Sequence, residues 1–141
     1  MNNRTLAIIK PDAVENGYTG KIYDRIIESG FNIISSKLIK LTIDQAEDFY
    51  SIHKEKPFFG ELNQFMSSGK CMVLALEKED AVRGWRKTIG ATNPADSEEG
   101  TIRKDYATSL GKNAVHGSDS DENAKIEISF FFSESELIGN K

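Results

Sequence analysis

Two spacings of apolar residues alternate along the chain, and the changes between them mark its elements. Leu6 to Ile9 is an unbroken aliphatic run. With Thr5 and Lys10 it predicts a buried first strand ending at Pro11, which cannot donate to a sheet ladder. From Thr19 to Ser29, Ile22, Tyr23, Ile26 and Ile27 recur at helical spacing, and Gly30 stands where a left-handed cap would sit. Phe31 to Leu41 alternates loosely and predicts a second strand. Thr42 and Gln45 have capping-box spacing and open a helix carrying Ile43, Ala46, Phe49 and Tyr50. Pro57 starts another, with Phe58, Leu62, Phe65 and Met66 before Gly69. Cys71 to Leu76 is apolar without alternation, as in a central strand; Glu79 to Ile89 is a helix stopped by Gly90. Ile126 to Phe132 reads as the last strand.

With the helical pair taken as an insertion, the order is β-α-β-β-α-β, the ferredoxin-like split arrangement within the α/β (α+β) class. This fold has a four-stranded antiparallel sheet with helices on one face, extended here by the helix pair and a long loop. Phe31, Ile33 and Ile39 lie on strands apolar on both sides, so the other face also needs cover, for which a partner subunit is the expectation. Between Gly90 and Ile126 periodicity is weak, with one short helix expected after Thr101 and another after Ser118. Unstructured segments longer than about 15 residues are uncommon in compact domains and are usually functional.

Composition narrows the classes. The 141 residues are one domain's worth, 1–141, and 38% hydrophobic with 28% charged is an ordinary globular balance. A net charge of −4 gives no overall attraction to nucleic acid or anionic lipid. The apolar start is too short for a signal-peptide core or a membrane span. Cys71 is the only cysteine, which excludes an intrachain disulfide and fits a cytoplasmic setting. One cysteine and two histidines also exclude a zinc cluster of ordinary type.

No phosphate-binding glycine loop of the common kinds is present. What remains is a scattered set of phosphate-suited groups. His53, in His53-Lys54-Glu55-Lys56, reads as a solvated surface residue. His116 lies before an expected helix start that Ser118 or Asp119 would cap, leaving amide groups to meet an anion. A neutral imidazole is nucleophilic and can carry a phosphoryl group if its other nitrogen has an acceptor, for which Glu127 is the candidate. Lys10 at a strand end, and Arg86 and Arg103 with their forked guanidinium groups, suit phosphate but read equally as surface charges. Phe58 offers a stacking face or a core side chain.

Four segments in order resemble the nucleoside diphosphate kinase family over nearly the whole length: Lys10-Pro11-Asp12; Lys56-Pro57-Phe58-Phe59; Gly90 through Ser97 with Gly100-Thr101-Ile102-Arg103; and Asn113 through Ser120 around His116. The resemblance implies transfer of the terminal phosphate of ATP to nucleoside diphosphates, in a ping-pong cycle through phosphorylated His116. It implies that Lys10 contacts the transferred group and the sugar hydroxyl, that Tyr50 lies beside Lys10, and that Phe58 stacks on the base with Leu62 beside it. Arg86, Thr92 and Arg103 would hold phosphates, and Asn113 would meet the ribose. Glu127 would orient His116 through Ser118. Mg2+ would be held mainly by the nucleotide, with Asp119 as a contact through water. The implied assembly is a homo-oligomer; the chain ends soon after Phe132, which leaves tetramer and hexamer both open. Lys112 stands where the family often has arginine, and Asp121 where it usually has an apolar residue. Two further roles fit these residues: nucleotide binding without turnover, and donation of histidine phosphate to other proteins.

Overall fold

The computed structural model describes residues 3–138. Its central strand pair is β1 (Arg4–Ile9) and β3 (Lys70–Glu77), antiparallel from Arg4 opposite Glu77 to Ile9 opposite Met72. β2 (Asn32–Lys40) lies outside β3, and β4 (Val115–Gly117) outside β1, both antiparallel, giving the order β2-β3-β1-β4. This is the four-stranded antiparallel sheet the element order implied, with its two longest aliphatic runs in the middle.

Alternation in β1 sends Ala7 and Ile9 to one face and Leu6 and Ile8 to the other, and all four are buried. The first face is covered by α2 (Thr19–Glu28) and α5 (Ala81–Ile89), through Ile22, Ile26, Trp85 and Ile89. α2 ends as its glycine demands: Gly30 takes φ 89°, Phe31 N–H reaches Ile26 O and Gly30 N–H reaches Ile27 O. That double bond with an apolar contact behind it is a Schellman cap. The second face is covered not by a partner but by this chain. α3 (Ile43–Phe49), α4 (Phe59–Met66) and α7 (Asp121–Phe131) supply Ala46, Met66 and Ile128, with Phe132 beyond, against Leu6, Ile8, Val73 and Ala75. The capping box at Thr42 and Gln45 is formed in both directions.

One element differs in kind from expectation. Ile126 to Phe132 is not a strand but the second half of α7, and the fourth strand is the three-residue β4. Ile126, Ile128, Phe130 and Phe132 alternate with Glu127, Ser129 and Phe131, which mimics a strand, and β-branched and aromatic residues add to the mimicry. The residues actually buried are Ala124, Ile128 and Phe132, spaced by four, whereas Ile126 is exposed. Ser120 caps α7 by accepting from Asn123 N–H, and Asp121 and Glu122 fill its first turn, so neither Ser118 nor Asp119 is the cap. Asp121 thus sits where a carboxylate suits the helix dipole. The remaining helices are short: α1 (Pro11–Glu15), α6 (Ile102–Tyr106), capped by Thr101, and α8 (Glu134–Ile138).

Asn63 on α4 is 1% exposed, yet both ends of its amide lack a hydrogen-bond partner among the described residues. A buried unpaired polar group costs about 1–3 kcal/mol. Asn63→Leu keeps the branching at Cγ and removes the unpaired groups. It should raise the thermal midpoint by about 3 °C or more, measured by calorimetry against the parent chain; a lower midpoint would mean that Asn63 is satisfied in solution.

Candidate active site

β1 ends at Ile9, and Lys10 turns the chain at once into α1 with Pro11 in the first helical turn. This corner brings Lys10 under the segment that leads into β4. The Lys10 backbone N–H donates to Ala114 O at 2.8 Å, and its Nζ donates to Asn113 Oδ1, also at 2.8 Å. Lys10 is 7% exposed. Burial, with the positive charge of Arg103 added, pulls its pKa down to about 8, against an opposing pull from Asp12.

His116 enters the site from β4, where it pairs with Ile8. Its backbone carbonyl accepts the Trp85 indole N–H at 3.0 Å. Gly117 leaves the room this needs, since a Cβ there would lie 2.8 Å from Trp85 Cδ1. The imidazole Nε2 lies 2.8 Å from Glu127 Oε1 on α7. A carboxylate only accepts, so in the neutral imidazole Nε2 carries the proton and Nδ1 the lone pair. Glu127 touches the ring directly. Ser118 does not stand between them: it is wholly buried, accepts from Leu6 N–H at 3.3 Å and donates to the same Glu127 oxygen at 2.8 Å. Phe49 and Tyr50 meet the imidazole edge-to-face, at 5.5 and 6.3 Å between ring centres.

Lys10 and His116 open on a cavity of about 780 Å³. Eleven of the twelve residues singled out from the sequence line it, Ser118 being the exception behind Glu127. Tyr50, Phe58 and Leu62 form the wall carried by α3, α4 and the turn between them, with Phe58 48% exposed to the cavity side. The Tyr50 hydroxyl is buried without a hydrogen-bond partner among the described residues, and burial pushes its pKa up. No hydrogen bond joins it to Lys10 among those the structure shows; both simply line the same space. Arg86, Thr92, Arg103, Asn113 and Asp119 line the rest.

Arg103 lies on α6, the short helix expected after Thr101, and it is 7% exposed. Its Nε, Nη1 and Nη2 donate to the carbonyls of Asn113, Gly90 and Val115 at 3.3, 3.1 and 2.8 Å. Burial first, and the Arg86 charge second, lower its pKa to about 10. Asn113 passes its amide on to Thr92 O at 3.2 Å.

Sequence reasoning missed several members of the wall. His53, expected on the solvated surface, is half-buried, lines the cavity, and packs 5.7 Å from the Phe58 ring and 6.5 Å from Tyr50. Its charged neighbours hid it. Phe49, Leu110 and Lys112 also line the space. Leu110 is 59% exposed, a lone aliphatic residue in a polar stretch, and that isolation was the available signal. Among the described residues no three His, Cys, Asp or Glu side chains are grouped to hold a metal ion. No helix among them is long and apolar enough to cross a membrane.

The sequence model of the nucleoside diphosphate kinase family matches residues 3–137. A nucleoside diphosphate kinase of Erythrobacter litoralis is 56% identical over 136 residues, covering 96% of this chain and 97% of that one. One from Flavobacterium psychrophilum is 58% identical over 130 residues, covering 92% and 94%. Among solved structures, the enzyme of Aquifex aeolicus superimposes with a TM-score of 0.94 at 46% identity, covering 96% of this chain and 99% of that one. That of Halobacterium salinarum, solved in complex with CDP, gives 0.92 at 36% identity, covering 98% and 92%.

Lys10 supplies a pH test of this cavity. Its charged form, which attracts phosphate, disappears as pH rises through about 8. The advantage of the parent chain over Lys10→Met in binding inorganic pyrophosphate, measured by titration calorimetry, should therefore shrink across that range. Stability moves the opposite way. The folded value lies below the ordinary 10.5, so the buried ammonium costs stability at and below pH 8, and the cost fades as pH rises from about 8 to 10.5. An advantage constant with pH would place the ammonium away from the anion.

Proposed function

The chain belongs to the nucleoside diphosphate kinase family, and we propose that it transfers the terminal phosphate of ATP to nucleoside diphosphates through Nδ1 of His116. The observation that carries the residue-level reading is the 2.8 Å contact between Nε2 and Glu127, which in the neutral ring puts the lone pair on the other nitrogen, beside a cavity lined by cations.

In the first half-reaction the Nδ1 lone pair attacks the terminal phosphorus. The bond from that phosphorus to the bridging oxygen breaks, and its electron pair leaves on the nucleoside diphosphate. The ring gains positive charge as the N–P bond forms, and the Glu127 carboxylate at Nε2 balances it. Ser118, held by Leu6 N–H, keeps that carboxylate in place. The second half-reaction reverses these steps on a different diphosphate, whose terminal oxygen attacks the phosphohistidine. Transfer of this kind depends mainly on positioning and charge stabilisation. Lys10, Arg86 and the Arg103 N–H groups not engaged by carbonyls are suited to the phosphates. The unpartnered Tyr50 hydroxyl is a donor without another partner to leave. The Phe58 ring offers its face to a base, with Leu62 and Leu110 in the same wall, and stacking accepts any base.

The donor set bears on the metal. Lys10, Arg86, Arg103 and Lys112 line the cavity, and carboxylates grouped as ligands are lacking among the described residues. This suits a Mg2+ that would arrive on the nucleotide's phosphates, with Asp119 as the side chain that would hold it through water. Bound there, it would offset charge on the departing diphosphate. Asp119 is already fixed at one oxygen by Asn123 Nδ2, at 2.6 Å. A homo-oligomer belongs to the same reading. β2 is an edge strand bearing exposed Leu38, an edge a second copy would extend. So does a cytoplasmic setting, since Cys71 is buried and unpaired.

The test is incubation with γ-labelled ATP and Mg2+, followed by GDP. Acid-labile label on the protein that passes to GDP, and is missing from His116→Ala, is the expected result. His116→Ala should still bind nucleotide within about tenfold of the parent. Label on a variant lacking His116 would require another nucleophile. Phe58→Ala should weaken nucleotide binding by about 1–3 kcal/mol; unchanged affinity would remove the ring from the base site.

A further inference from the structure

Two residues before His116 the backbone takes a conformation that side-chain-bearing residues avoid. Ala114 has φ 71°. Val115 N–H closes back on Asn113 O at 2.8 Å, so residues 113–115 form the rare γ-turn with positive φ at its centre. Each polar backbone atom from Asn113 O to Val115 O is held. Arg103 takes the carbonyls of Asn113 and Val115, and Lys10 N–H takes that of Ala114. The remaining group, the Ala114 N–H, is taken by a side chain: Asp12 Oδ2 accepts it at 3.1 Å. Asp12 is 8% exposed, sits on α1 next to the Lys10 corner, and has its other oxygen buried without a partner among the described residues. Burying a carboxylate on a short helix is costly, and burial raises its pKa, against the opposing pull of backbone amides and of the Lys10 charge. It does not touch the cavity.

We propose that Asp12 is a positioning residue for phosphoryl transfer, acting as the latch that holds the strained Ala114 turn and so sets Asn113 and His116 relative to Lys10. This rests on the reading of His116 as the phosphoryl carrier. The geometry follows from the covalent chain. The turn has Asn113, bonded to Lys10 Nζ, on one side and His116 one residue beyond Val115 on the other. If Ala114 relaxes to negative φ, the peptides on either side rotate. The Asn113 side chain and the β4 strand that carries His116 then cannot both keep their places. A displacement of about 1 Å at a reacting group is enough to cost about 100-fold in rate. The latch works by accepting a hydrogen bond, not by its charge. Two consequences follow: an asparagine, whose amide oxygen also accepts, should serve, and a glycine at 114, which adopts positive φ freely, should make the latch unnecessary.

The experiment compares Asp12→Ala, Asp12→Asn, Ala114→Gly and the double variant Asp12→Ala/Ala114→Gly. It measures the single-turnover rate of His116 phosphorylation from γ-labelled ATP, together with nucleotide affinity and the thermal midpoint. Asp12→Ala is expected to lose about 100-fold in phosphorylation rate with nucleotide affinity within about threefold. Asp12→Asn should stay within about fivefold of the parent, and the double variant should recover most of the lost rate. If Asp12→Ala does not fold, Asp12→Ser, whose hydroxyl falls short of the amide, takes its place under the same expectations. Asp12→Asn as slow as Asp12→Ala would overturn the proposal in favour of the carboxylate's charge beside Lys10. A double variant no faster than Asp12→Ala would overturn it as well. The parent chain in the same assay separates the two readings, because unphosphorylated parent would refute the His116 carrier itself, whereas phosphorylated parent with a failed rescue refutes only the latch.

Discussion

A single buried guanidinium ties the two ends of the long segment after α5 together. Arg103 bonds the carbonyl of Gly90, where that segment begins, and those of Asn113 and Val115, where it ends at β4. Between these points there is little apolar periodicity to bury, and closing a loop of this length costs conformational entropy that few local contacts offset. Hydrogen bonds from a charged donor to carbonyls are stronger than neutral ones, about 1.5–3 kcal/mol each. Three of them on one side chain make a cross-link that the sequence around them does not otherwise provide. The same charge lies close to Arg86 and Lys10: burial first, and repulsion among these cations second, lower the pKa values of Lys10 and Arg103. An anionic ligand relieves that repulsion, so the cross-link that orders the segment also favours phosphate binding.

The sheet was legible because its strands are unmistakable: the aliphatic runs of β1 and β3 allow only a buried central position. The helix caps at Gly30 and at Thr42 with Gln45 were legible because capping depends on nearby residues. α7 was not, since alternating Ile126, Ile128 and Phe130 imitate a strand, and only tertiary packing shows that the buried set is Ala124, Ile128 and Phe132. β4 has three residues and no pattern of its own; it exists because β1 offers it an edge. The site divides similarly. Lys10, Arg103 and His116 stand out by chemical type, but His53 is marked as surface by its neighbours. Asp12 carries no sign that its carboxylate reaches across 102 positions to an amide.

Several of the molecule's local violations of good packing lie in the cavity wall or directly behind it. Ala114 is held at positive φ, one Asp12 oxygen and the Tyr50 hydroxyl are buried without partners, and two cations are partly desolvated. Such features each cost on the order of 1–3 kcal/mol and persist only where the surroundings over-determine them. Here they do: the γ-turn is gripped from the β1 corner and from α6, and His116 is held at its backbone by β4 pairing and by Trp85 of α5 and at its imidazole by Glu127 of α7. The buried, unpaired amide of Asn63 is one that nothing in the structure explains.

The two sides of the cavity are built differently, and the difference suits their tasks. The side with Lys10, Arg103 and His116 is tied to central strands by backbone pairing and by buried side-chain bonds, so its atoms stay fixed relative to one another. The side with Tyr50, Phe58 and Leu62 is carried by the inserted pair α3 and α4, joined by a 3-10 turn at Ser51–His53 and resting on the sheet through side chains alone. A reacting phosphorus needs rigid neighbours, because rate falls steeply with misplacement. A base recognised by its face needs only a ring to lie against, and bases of different size require a wall that yields. On the proposed reading, the chemistry stands on the sheet and the stacking ring on the insertion, which allows both without either constraint weakening the other.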